Sequence, residues 1–143
     1  MIKIRRAEVS DAPQIAQAEN AYIDCPWTER QIAEEILNPA AVFLVAADDG
    51  EFCGYVSGVI SIDECEMSNI AVSESFRRRG VGKALMTELL NELANRGVQS
   101  VFLLVRDGNE PAVNLYTQCG FSCVGKRKDY YKGRDALIMR LNL

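Results

Sequence analysis

The sequence predicts an α/β fold, a mixed and mostly antiparallel central sheet of about six to seven strands flanked by about four helices. Three observations carry this expectation. Between residues 42 and 72, three apolar or alternating runs follow one another across short turns, as consecutive antiparallel strands do. From Gly82 to Arg96 the rhythm becomes helical, with Leu85, Leu89, Leu90 and Leu93 on one stripe. A buried-strand run, Val101 to Val105, follows that helix, which therefore reads as a crossover to a parallel neighbour.

Taken in order, Ile2-Lys3-Ile4 alternates like a short strand. Ser10-Asp11 precedes Pro13 and the apolar period Ile15, Ala18, Ala21, the pattern of a capped helix. Thr28-Glu29-Arg30-Gln31 has capping-box form, Ile32, Ile36 and Leu37 supply a buried face, and Asn38-Pro39 stops the helix. Val42 to Ala47 is a continuous apolar run, Asp48-Asp49-Gly50 a turn, Phe52 to Ile62 a second strand and Glu64 to Val72 a third. Gly97 ends the leucine-striped helix. Asn109 caps a short helix carrying Val113, Leu115 and Tyr116, with Pro111 in its first turn and Gly120 at its end. Phe121 to Gly125 and Ala136 to Leu141 are the last strands, with Lys126 to Arg134 a loop between them.

The chain has 143 residues, 48% hydrophobic and 25% charged, which suits one domain over residues 1–143. Counting excludes several chemistries. Without histidine there is no Ser-His or Cys-His pair, and Cys25, Cys53, Cys65, Cys119 and Cys123 lack the paired spacing of a zinc site, so no metal is expected. The cysteines read as small core residues. Their odd number, with no apolar leader behind Met1, points to a reducing cytoplasm. The longest apolar runs are far short of the ~20 residues of a membrane span. The net charge of −4 argues against direct nucleic-acid binding. Residues 1–75 carry 4 basic and 14 acidic side chains, residues 76–143 carry 12 and 6, so an anionic ligand would settle on the second half and a cationic one on the first.

The stretch richest in chemistry is Arg77-Arg78-Arg79-Gly80-Val81-Gly82-Lys83-Ala84, between a strand and an amphipathic helix. Two glycines one residue apart let the backbone turn and aim N–H groups outward, and the helix adds its positive dipole end, a setting for phosphate. A Walker loop would need glycine at Arg77 and a hydroxyl at Ala84, and a dinucleotide fingerprint would need a third glycine. A helix start with a basic surface is the plainer alternative.

Arg77-x-x-Gly80-x-Gly82 resembles the signature of the GNAT superfamily, the acetyl-coenzyme A (acetyl-CoA) dependent N-acetyltransferases. Asn69-Ile70-Ala71-Val72, Asn109, Leu115-Tyr116 and Gly120-Phe121 also stand where that family has them. Pro26-Trp27-Thr28-Glu29, Asp129-Tyr130-Tyr131 and Asp135-Ala136-Leu137-Ile138-Met139 look more specifically like the RimI-type enzymes, which acetylate the N-terminal alanine of a small-subunit ribosomal protein. The resemblance spans essentially the whole chain and implies a GNAT fold.

It also implies roles. Ile70, Ala71 and Val72 would pair with the pantetheine amides and offer N–H groups to the thioester oxyanion. Arg77, Arg78, Arg79, Gly80, Val81, Gly82 and Lys83 would take the pyrophosphate, and Asn109 the pantetheine arm. Tyr116 would give a proton to the leaving thiolate. RimI-type enzymes have a glutamate where this chain has Leu104, so Glu64 or Glu66 working through water, or no strong base, is expected instead. Asp63, Glu64 and Glu66 would steer a basic peptide, and Trp27 and Tyr131 would wall the acceptor slot. Those two also read as a hydrophobic staple and a half-buried loop aromatic. The acceptor implied is a protein N-terminal α-amine, of a ribosomal protein in the RimI-type reading. A small-molecule amine and a non-catalytic acyl-CoA-binding module are the alternatives.

Overall fold

The computed structural model describes residues 1–23 and 25–143. Seven strands and four helices occur in the expected order: β1 (Ile2–Arg6), α1 (Ala12–Tyr22), α2 (Glu29–Ile36), β2 (Ala41–Asp48), β3 (Glu51–Ser61), β4 (Glu64–Val72), α3 (Val81–Asn95), β5 (Ser100–Arg106), α4 (Glu110–Gln118), β6 (Ser122–Tyr131) and β7 (Arg134–Asn142). The sheet order is β1-β2-β3-β4-β5-β7-β6. Every neighbouring pair is antiparallel except β4 and β5, which α3 joins by a crossover.

Both faces of the sheet are covered, which is why β2 reads as an unbroken apolar run rather than an alternation. Val42, Leu44 and Ala46 enter a core under α3 and α4 with Leu85, Leu89 and Leu93. Phe43 and Val45 point the other way, into a second core with Ile15, Ile32 and Tyr55 under α1 and α2. The β2–β3 turn has Asp49 at φ 50° and Gly50 at φ 85°, the paired left-handed residues of a two-residue hairpin. Among the described residues no helix is long and apolar enough to cross a membrane.

Four expectations are corrected. Asp11 precedes α1 but does not cap it, because its carboxylate is committed to both guanidinium nitrogens of Arg5, at 2.7 and 2.8 Å, and to the Glu8 N–H at 2.7 Å. Leu37 follows the last turn of α2 and is 71% exposed instead of buried. Cys53 and Cys65 are core residues, whereas Cys25 and Cys123 are exposed. Residues 126–134 are not an open loop: β6 and β7 extend through them and meet at Tyr131 and Arg134.

The Arg5 guanidinium holds the Asp11 carboxyl below its ordinary value, with the Glu8 N–H assisting and burial opposing. A depressed carboxyl stabilises the fold above its unfolded pKa, and that contribution is lost as pH falls through the folded one. Asp11→Asn is therefore expected to cost about 1–3 kcal/mol at pH 7. In thermal melts the gap to the parent protein should begin to close below about pH 4.

Candidate active site

The site begins with one supernumerary residue. Ser57 of β3 faces Asn69 of β4 and Gly58 faces Met67, so Ser68 has no partner and forms a β-bulge. On its other side β4 pairs with β5 only at Glu64, Cys65 and Glu66. Beyond these the two strands part, and β5 continues with β7 alone through Arg106.

The direction of the freed groups follows from the ladder. Ser73 N–H donates to the Cys53 carbonyl at 2.7 Å. Because antiparallel bonding alternates residue by residue, Ala71 then faces β3 and Ile70 and Val72 turn their N–H and C=O away from it. Of the three residues expected to offer backbone groups there, Ile70 turns both groups and Val72 its N–H to the gap, the Val72 carbonyl accepting from Arg77, while Ala71 pairs with Tyr55 of β3. β3 keeps close to β4 here through Gly54, where a Cβ would lie 2.5 Å from the Ala71 oxygen.

The chain then passes through a 3-10 turn, Glu74–Phe76, before α3. Arg78 (φ 63°) and Gly80 (φ 77°) adopt left-handed backbone on either side of Arg79, an alternation that cups N–H groups. The first N–H groups of α3, at Val81, Gly82 and Lys83, have no acceptor within the helix. Val81 anchors this start with a buried side chain, and Gly82 lies against Leu115 of α4 and Val72.

The basic residues divide by job. Arg77 bonds the Val72 carbonyl at 3.1 Å and lies 4.6 Å over the Tyr22 ring. It is a brace, not a mobile counter-charge. Arg79 sits 5.2 Å over Phe76 and 4.0 Å from Asp48. Arg78 and Lys83 are exposed and carry no ion pair among the described residues.

Asn109 caps α4, accepting from Ala112 N–H at 3.4 Å. About two turns later Tyr116 is buried and its ring meets Phe121 at 6.0 Å. Burial first, then the nearby Tyr131 hydroxyl and Cys119, push its phenol well above the ordinary value, so it remains protonated. Tyr131 ends β6 with its ring edge-on to Tyr130 at 5.1 Å.

The two acidic candidates separate. Glu64 is consumed by Arg140 at 2.8 Å and Ser100 Oγ at 3.1 Å, which corrects its expected availability as a base. Glu66 is exposed and unpaired among the described residues, beside Phe102 at the point where β4 and β5 part. Val101, Leu103 and Val105 enter the core under α3 and α4, so alternation turns the half-buried Leu104 to the opposite face.

One functional-looking residue escaped the sequence reading. Glu19 is 3% exposed, and its carboxylate accepts from the Tyr55 hydroxyl, from Asn69 Nδ2 at 3.0 Å and from Trp27 N–H at 2.9 Å. The signal was present: Ala12, Ile15, Ala16 and Glu19 follow i, i+3, i+4, i+7, so a carboxylate falls on the apolar stripe of α1. Burial first, and then the Glu19 carboxylate, drive the Tyr55 phenol far above its ordinary value. Trp27 itself packs on the core that holds Ile32, in keeping with a staple onto α2.

A family model described as acetyltransferase (GNAT) family matches residues 3–121. The ribosomal protein bS18-alanine N-acetyltransferase of Escherichia coli strain K12 is 34% identical over 149 aligned positions, which cover 99% of this chain and 97% of that one. The crystal structure of the ribosomal-protein-S18-alanine N-acetyltransferase from Escherichia coli matches with a TM-score of 0.91 and 31% identity, over 99% of this chain and 94% of that one. Arabidopsis thaliana NAA60 in complex with acetyl-CoA has the same fold, with a TM-score of 0.91 at 21% identity over 100% and 99% of the two chains.

The division among the arginines is testable with coenzyme A as titrant. Arg78→Ala should weaken binding about 3–10-fold at low ionic strength, less as salt is raised, with melting unchanged. Arg77→Ala should also lower the melting temperature, because it removes about 1–2 kcal/mol of ring and carbonyl contact. Calorimetric titration and thermal melts distinguish the two.

Proposed function

Because the chain belongs to the acetyltransferase (GNAT) family, we propose that it transfers acetyl from acetyl-CoA to the N-terminal α-amine of a protein, with ribosomal protein bS18 as the leading candidate. The chain is an N-acetyltransferase. The observation that carries the mechanistic reading is the β4–β5 gap, where the N–H groups of Ile70 and Val72 and the Ile70 carbonyl face away from β3, ahead of the N-terminus of α3.

An extended amide chain fits such an edge as an added strand, and its phosphates suit the N–H groups at the start of α3, with Arg78 and Lys83 beside them. The amine nitrogen attacks the thioester carbonyl, forming the C–N bond. The oxygen takes up negative charge beside the N–H groups turned into the gap. The C–S bond then breaks, the thiolate takes the Tyr116 proton, which burial has kept in place, and the proton that the new amide nitrogen sheds restores the phenol by way of solvent. Asn109 serves the pantetheine arm in this reading, and Trp27, Tyr131 and Glu66 border the acceptor.

Leu104 cannot accept a proton, so the amine must shed its own to solvent before attack. An α-amine of pKa ~7.7–8.0 is roughly a quarter neutral near pH 7.4, while a lysine amine at ~10.4 is neutral about one time in a thousand. This arithmetic favours an α-amine.

Mass spectrometry of a peptide beginning with the bS18 N-terminal residues tests the assignment. Acetylation should fall on the α-nitrogen and disappear when that nitrogen is blocked, even if a lysine remains. Acetylation of small amines alone would overturn the protein-acceptor reading. With the peptide, kcat/KM should rise with pH and level off near the pKa of the amine, about 8. Tyr116→Phe should lower kcat at least ten-fold and leave coenzyme A affinity within about two-fold, an effect of ~1.4 kcal/mol or more on the barrier. Leu104→Glu should raise kcat/KM on the acidic side of that profile, where an unassisted amine is protonated.

A further inference from the structure

Glu19 is a buried carboxylate that none of the steps above uses. Burying a carboxylate costs several kcal/mol unless its oxygens are well bonded. Attaching α1 to the sheet does not require it, since Ala12, Ile15, Ala16 and Ala18 already supply an apolar contact. What a carboxylate adds is direction. One oxygen accepts the backbone N–H of Trp27, at the entrance to α2. The other accepts Asn69 Nδ2, on the residue next to the Ser68 bulge and directly before Ile70. The Tyr55 hydroxyl donates to this second oxygen and fixes the carboxylate from below. The Tyr55 ring is itself stacked on Phe43 at 5.8 Å.

We propose that Glu19 is a positioning residue for the acceptor: it ties the Trp27 backbone to the bulged end of β4, and so holds the wall of the amine slot at a set distance from the strand that holds the donor. The inference rests on the peptide-acceptor reading and deepens it. The donor's phosphate cradle at residues 78–83 lies outside the tie, and the β3 ladder holds the backbone of Ile70 and Val72 without it, so coenzyme A affinity changes little when the tie is cut. Acceptor KM and turnover depend on it, because a slot wall displaced by an ångström costs alignment with the thioester.

Substitutions separate this role from simple support. In Glu19→Gln the amide oxygen accepts Trp27 N–H while its nitrogen donates to Tyr55 or Asn69, both of which also accept, so the tie survives without the charge. In Glu19→Ala every donor is orphaned. Expected for Glu19→Ala are a peptide KM at least ten-fold higher, a lower kcat, coenzyme A affinity within two-fold of the parent and faster hydrogen exchange at the Trp27 amide. Expected for Glu19→Gln is a KM within about three-fold. Asn69→Ala cuts the strand end of the tie alone and decides the matter should Glu19→Ala not fold, because it should raise KM with the coenzyme A affinity intact.

An unchanged peptide KM and unchanged Trp27 exchange in Glu19→Ala, or an unchanged KM in Asn69→Ala, overturns the proposal while the acetylation of the peptide stands. A parent protein that acetylates no peptide N-terminus overturns the reading beneath it, and the acceptor role of the tie with it.

Discussion

An extra residue in one strand governs what this sheet can do. With Ser68 bulged out of β4, the strand cannot stay in register with β3 and also keep step with β5. The parallel pair ends after three residues, and a sheet otherwise closed to ligands acquires an internal edge. Backbone edges are costly to leave unpaired inside a fold. Here the cost is contained, because α3 starts where the gap opens and its own free N–H groups belong to the same concavity. Strand edge and helix terminus are two halves of one polar surface, and neither would bind an amide-linked phosphate ligand alone.

That surface is held open by side chains that make little sense as binding groups. Arg77 spends its guanidinium on the Val72 carbonyl and the Tyr22 face, and Tyr22 accepts the Glu74 N–H at 3.2 Å. Glu19, one turn earlier on α1, reaches Asn69 on the strand itself. The last turn of α1 therefore meets the side chain of Asn69 on β4 and the turn that follows the strand at Glu74 and Arg77. Gly54 lets β3 approach from behind. The first arginine of the signature thus has its guanidinium on a carbonyl and a ring, while Arg78 and Lys83 stand exposed without an ion pair among the described residues.

Much of this was legible in the sequence where the physics is local. The earlier strand runs, the helix stops and the Thr28 capping box depend on neighbours within four residues and stand in the structure close to the bounds read, whereas the last hairpin runs on through what reads as a loop. Asn109 is a cap for the same reason. What is not legible involves partners beyond the reach of a single helix turn or strand, some near in the chain and some far. Asp11 looked like a cap because its pull toward Arg5 needs β1 and the turn before α1 to meet. Glu64 and Glu66 look alike as text, and only Arg140, 76 residues beyond Glu64, neutralises one and leaves the other. The bulge is invisible in the alternation of β4, since it is a mismatch of two strands and not a property of either. Ala71 was grouped with Ile70 and Val72 because only the ladder says which backbone groups alternate toward the gap.

Leu104 is best understood together with the buried phenols. Tyr116 and Tyr55 both stay neutral because burial resists their charge, and Leu104, turned to the other face of β5 from Leu103, brings no charge of its own. A site of this kind lowers the pKa of an amine brought into it, since desolvation disfavours the ammonium form. For an α-amine starting at ~7.7–8.0, a drop of one unit makes the neutral nucleophile the major species near pH 7.4, at a cost of ~1.4 kcal/mol. A lysine amine starting at ~10.4 would need three units and more than ~4 kcal/mol for the same result. Removing a base from β5 therefore does not simply weaken catalysis. It shifts the work of deprotonation to the environment, and an environment can do that work for α-amines at a cost that binding the rest of a peptide readily covers.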